Sequence, residues 1–150
     1  MNPEHQHAHS PAGVLTPAQR EELRTALEAK RERLLHALRE HEDSEEERDD
    51  DALDREGDAA DRAGAAIEDH DRISMADHNL ELLEEVDHAL GRLDDGTYGL
   101  SEASGRPIPF ERLRAVPWAR YGAEEAERAE HASQDAATRR RSLYAPRTLD

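Results

Sequence analysis

The chain has no cysteine, a single phenylalanine and a single tryptophan, and no long apolar run. Without cysteine, disulfides and thiol chemistry are excluded, and the sequence carries no redox-compartment signal in either direction. With 35% hydrophobic against 37% charged residues, a large globular core is not expected. At 150 residues, a small module with an extended arm fits this composition better than one compact domain. The N-terminus, MNPEHQHAHSPAG, lacks the apolar centre of a signal peptide, and no segment approaches the roughly 20 apolar residues of a membrane span. No membrane association and, by default, a cytoplasmic location are expected.

Positive charge is also scarce: 20 Lys and Arg stand against 36 Asp and Glu, for a net charge of -16 and a pI near 4.9. Binding to the DNA backbone needs clustered cations that displace counterions, so no direct DNA binding is expected. Such a charge suits a partner with a basic cavity, approached under electrostatic steering, or serves solubility alone. Neither a Ser-His-Asp or Cys-His arrangement nor a P-loop is visible, so the chain does not read as an enzyme. His5, His7 and His9 alternate in the N-terminal tail, where weak metal binding competes with the plainer reading of polar tail residues.

What is present is helical periodicity. Thr16, Pro17 and Gln19 form a helix start, with Thr16 as cap and Gln19 completing a T-x-x-Q box. About thirty helical residues follow, in which Leu23, Ala26, Leu27, Leu34, Ala37 and Leu38 make a narrow apolar stripe interrupted by Lys30. A second stripe, Ile73, Ala76, Leu80, Leu83, Val86, Leu90 and Leu93, has nearly heptad spacing and supplies the partner. Two such segments make an antiparallel hairpin with arms of roughly 45 to 55 Å. Residues 42–58 between them are densely acidic, with Gly57 as the one clear breaker, so the turn falls where like charges repel. A terminal helix is expected from Glu124 to about Arg141, ending in the only basic cluster, Arg139 to Arg141.

The segment Tyr98 to Gly122 carries a more specific pattern. Tyr98, Gly99, Gly105, Ile108, Arg112, Leu113, Ala115, Pro117 and Ala119 fall in register with YG-x-C-x-x-C-G-x-x-I-x-x-x-RL-x-A-x-P-x-A-x-x-C-x-x-C. In this segment the chain resembles the DksA/TraR family. Where that pattern places cysteines, this sequence has Ser101, Ser104, Gly122 and Glu125. Tetrahedral zinc needs four sulfur, nitrogen or carboxylate ligands, and two hydroxyls, a glycine and a glutamate do not supply them. The expectation is a metal-free module with no cofactor. Its folding energy must then come from Leu100, Ile108, Phe110, Leu113, Val116, Trp118 and Tyr121, helped by Pro107, Pro109 and Pro117.

The resemblance extends over residues 17 to 141 and implies a mostly α fold: a long antiparallel coiled-coil hairpin, a small degenerate zinc-finger-like globular module and a C-terminal helix. The expected boundaries are a disordered tail at 1–15, the hairpin at 16–95 with its acidic tip near 43–61, the module with its helix at 96–141, and a flexible tail at 142–150. Asp58, Asp61 and Ala63 match the family's D-x-x-D-x-A tip motif, and the same ungapped spacing links it to the YG segment. The implied function is a transcription regulator that binds RNA polymerase and enters its secondary channel, within the reach of the stringent response. Some members also bind the alarmone ppGpp through basic side chains. Those positions become Glu85, Val116 and Ala126 here, so ppGpp binding at that site is not expected. Two further readings stand beside this one: a coiled-coil scaffold that keeps the fold without the polymerase, and, more distantly, a metal-dependent enzyme using the His and acidic residues.

Overall fold

A computed structural model describes residues 14–51 and 59–143, and within them the chain is mostly α. Four helices occur in order: α1 Pro17–Asp51, α2 Ala59–Asp95, α3 Phe110–Ala115 and α4 Ala123–Leu143. The chain divides into two units. One is Pro17–Tyr98, and the other joins the segment before Pro17 to the residues from Gly99 onward.

In the first unit α1 and α2 pack along their length as the antiparallel hairpin that the two stripes predict. Ion pairs fix the register. Arg24 meets Asp94 at 3.0 Å and Arg31 meets Asp87 at 2.7 Å, so one heptad forward on α1 is one heptad back on α2. Nearer the turn Arg48 reaches Asp69 at 2.7 Å, and Arg72 shares the same carboxylate at 2.6 Å. All these side chains are substantially solvated, so each pair contributes only about 0.2–1 kcal/mol. They select the pairing more than they stabilise it.

The seam differs in part from the stripes read in the sequence. Leu23, Leu27, Leu34, Val86 and Ala89 are buried, but Ala26 is exposed and Lys30 is half-buried. Ile73 and Leu80, counted among the apolar partners, are about half exposed. A strict alternation of four- and three-residue steps selects Leu23, Leu27, Lys30, Leu34, Ala37, His41, Ser44 and Arg48 instead. The long stem of Lys30 can line an apolar seam, which a count of apolar residues overlooks. Toward the turn the seam becomes small and polar, and a cavity of about 530 Å³ opens there beside Ala37, His41, Ser44, Arg72, Ala76 and Asn79.

Gly96 ends α2. Its φ of 77° lets the chain turn back, and the N–H groups of Thr97 and Tyr98 both donate to the carbonyl of Arg92, at 3.0 and 3.1 Å.

The second unit is built on Ile108 and Leu113, both essentially inaccessible, with Pro117 also buried. Phe110, Val116, Trp118 and Tyr121 are half-buried, while Leu100 is 40% exposed and contributes less than expected. Leu15, assigned from the sequence to the disordered tail at 1–15, is buried instead and belongs to this unit. A segment rich in His, Pro and Gly gives no periodicity from which its last apolar residue could be singled out. Short backbone bonds complete the unit: Ile108 N–H to Gly99 O at 2.7 Å, an isolated antiparallel bridge between Leu100 and Pro107, and Val116 N–H to Arg112 O at 2.8 Å. Among the described residues no helix is long and apolar enough to cross a membrane.

Candidate functional site

The sequence singles out two places, and each lies within one unit. At the end of the hairpin, Asp61 falls in the first turn of α2, where a carboxylate complements the helix dipole. Asp61 and Ala63 are both exposed, one on each side of Arg62. Asp58 lies outside the described residues, as do His5, His7 and His9. Residues 42–48 of α1 and 59–71 of α2 are exposed throughout, so this end of the hairpin presents carboxylates on helices that bury almost nothing.

The second place is the set of four positions at which the family pattern puts cysteine. Ser101 is buried, and its hydroxyl donates a short hydrogen bond to Oε2 of Glu125. The Gly122 N–H donates to the same oxygen at 3.1 Å. Hydrogen bonds from Ser101 first, then from the Ser104 hydroxyl and the Gly122 N–H, hold the Glu125 carboxyl below the ordinary glutamate value of 4.5. All four positions therefore converge on one carboxylate.

Local structure explains the convergence. Gly122 immediately precedes α4, and Glu125 is its third residue, so the bond back to Gly122 N–H is one half of a capping box. Ser101 and Ser104 sit on a turn closed by Ser101 N–H to Arg106 O and Gly105 N–H to Ser101 O, each at 2.8 Å. The Ser101 Oγ also accepts from Ala103 N–H at 3.3 Å, and the Ser104 Oγ from Arg106 N–H at 3.3 Å. Glu102 and Arg120 fasten the same two stretches again, through Glu102 N–H to Arg120 O at 2.9 Å and an ion pair at 2.7 Å.

This donor set does not fit zinc. The Ser101 hydroxyl uses its proton on Glu125, Gly122 offers only a backbone N–H, and one carboxylate remains, already occupied by donors. Among the described residues no group of three or more His, Asp or Glu is placed to hold a metal ion.

The positions aligned with the family's basic ppGpp contacts are scattered over the elements: Glu85 on α2, Val116 just after α3 and Ala126 on α4, all half-buried. Arg140 and Arg141 lie in the last turn of α4, where cations complement the dipole. What sequence reasoning missed is the polar seam of the hairpin. Its signal was the heptad phase that carries from Leu34 through Ala37 to His41.

No family model matches the chain. Its fold is that of a solved structure, transcription factor DksA2 from Pseudomonas aeruginosa: 30% sequence identity, TM-score 0.66, covering 85% of this chain and 95% of that one. The chain belongs to the DksA/TraR family. Among curated proteins, this DksA-family chain is 59% identical over 44 residues to general stress protein 16O of Bacillus subtilis, covering 29% of this chain and 27% of that one. It is 43% identical over 54 residues to the RNA polymerase-binding transcription factor DksA of Caulobacter vibrioides, covering 36% of this chain and 38% of that one. These matches span about a quarter to two fifths of the curated relatives' own length.

Proposed function

We propose that this protein is a transcription regulator, not an enzyme, that binds RNA polymerase directly and acts through the end of its hairpin. The observation that carries this reading is the likeness to DksA2 over nearly the whole chain, combined with exposed acidic residues where the hairpin turns. The curated Caulobacter relative is named for binding RNA polymerase.

In this reading the hairpin enters the polymerase secondary channel, and Asp58 and Asp61 approach the catalytic centre. Two carboxylates so close in sequence can accept hydrogen bonds from polymerase Arg or Lys or act near the catalytic Mg²⁺. Ala63 provides a small side chain for close approach. A net charge of -16 favours a basic cavity over the DNA backbone, so regulation proceeds without direct DNA contact. With Glu85, Val116 and Ala126 at the family's basic positions, no alarmone is recruited there.

The test is binding to core RNA polymerase from the same organism, with open-complex lifetime as a second readout, for wild type, Asp58→Asn/Asp61→Asn and a tip-deleted hairpin. The tip variants should still bind and no longer alter the lifetime, and ppGpp should leave affinity unchanged. Failure of the wild type to bind would mean that the fold serves as a coiled-coil scaffold.

A further inference from the structure

In the family pattern the turn that carries Ser101 and Ser104 and the start of α4 would be joined through a metal ion. Here 24 residues of chain separate Ser101 from Glu125, and the two are joined by hydrogen bonds to a single carboxylate. We propose that Glu125 is a clasp that closes this module in place of a metal, making its fold indifferent to zinc.

Three features distinguish a clasp from an ordinary helix cap. A cap needs only the bond from Gly122 N–H, yet the same Oε2 also takes the Ser101 hydroxyl. Ser101 is buried, so without Glu125 its hydroxyl would lose its acceptor away from water. Ser104 on the same turn as Ser101 and Arg128 on the next turn of α4 both favour the ionised carboxylate. Donors from two distant stretches of chain thus meet one acceptor, which is the topological task that zinc performs in small metal modules. Glu102 and Arg120 strengthen the same junction without entering the cluster. This inference is independent of polymerase binding.

Trp118 is the only tryptophan in the chain and lies in this unit, so its fluorescence reports the module's unfolding while far-ultraviolet circular dichroism is dominated by the long helices. The Trp118 unfolding midpoint of the full chain is measured with a strong chelator, with added zinc, and in Glu125→Ala, Glu125→Gln and Ser101→Ala/Ser104→Ala. The wild-type midpoint should move with neither chelator nor zinc. Glu125→Ala should lower it, Glu125→Gln should lower it less, and the double serine variant should lower it as well. A chelator-induced fall in the wild type would overturn the proposal, as would purified protein carrying stoichiometric zinc. So would an unchanged midpoint in the double serine variant, which would reduce Glu125 to a helix cap. In the converse experiment Ser101, Ser104, Gly122 and Glu125 are all replaced by Cys. The folded product should bind one zinc per chain and become chelator-sensitive, and a folded product that takes up no zinc would overturn the convergence of the four positions. Should that variant not fold, the serine pair decides.

Discussion

Leu15 occupies the space that a side chain at Gly99 would need: a Cβ built there lies 2.9 Å from Leu15 Cδ1. Gly99 also has a φ of 87°, a conformation that disfavours every residue with a Cβ. Gly99→Ala should therefore destabilise the module by about 1–2 kcal/mol from the backbone conformation, with the contact adding to it. Leu15→Ala removes the contact but also a buried side chain, so the double variant should lose less than the sum of the two single ones. Equilibrium denaturation followed by Trp118 fluorescence checks both values.

Acid should weaken the module through Glu125. The folded carboxyl titrates below its ordinary value of 4.5, so its stabilising effect is fully present above that pH and is lost as the pH falls through the lowered value. The Trp118 midpoint of wild type should converge on that of Glu125→Gln in this acidic range and exceed it at neutral pH. Parallel curves across the whole range would contradict this.

Alkali should act through Tyr98. Burial pushes its phenol well above the ordinary value of 10.0, against a smaller opposing effect of the Arg92 guanidinium. The unfolded chain then loses the proton before the folded one, so the stabilising effect is present below pH 10 and is lost as the pH rises from there toward the raised value. Tyr98→Phe should flatten this limb of the stability curve. Denaturation between neutral pH and strong alkali, compared with wild type, measures the difference.

The hairpin should be easy to stabilise at His41. Its Nε2 is buried with no hydrogen-bond partner among the described residues, a situation that costs about 1–3 kcal/mol. His41→Leu removes that cost and extends the apolar seam beyond Leu34. A gain of about 1–3 kcal/mol is expected, read from the loss of helical circular dichroism on heating or in urea. Ile73→Ala, at an exposed position of α2, should change stability by no more than about 0.5 kcal/mol.

Period and spacing made the hairpin legible, since apolar side chains at three- and four-residue steps can be buried together only on one helix face. The same approach overcounted Ile73 and Leu80 and passed over Lys30, because which apolar residues face the partner depends on the phase of both helices. Ser101, Ser104, Gly122 and Glu125 were readable as a set from the motif register. Their convergence on the Glu125 carboxylate was not, because a hydrogen bond across 24 residues leaves no periodic trace. The cap at Gly96 and the burial of Leu15 were missed for a related reason: each depends on one backbone angle or one contact. Asp61 lies in the first turn of α2, a position that periodicity alone does not fix because the acidic run before it has no apolar phase.

The change from leucine to polar residues along the hairpin seam grades its resistance to opening. Amides near Leu23, Leu27 and Val86 should exchange with solvent only when the whole unit unfolds, and those near Arg48 and Asp69 through local fraying. The hairpin is thus a stiff shaft with a compliant fingertip, and a partner can remould the Asp61 end at small energetic cost while the leucine end holds its register.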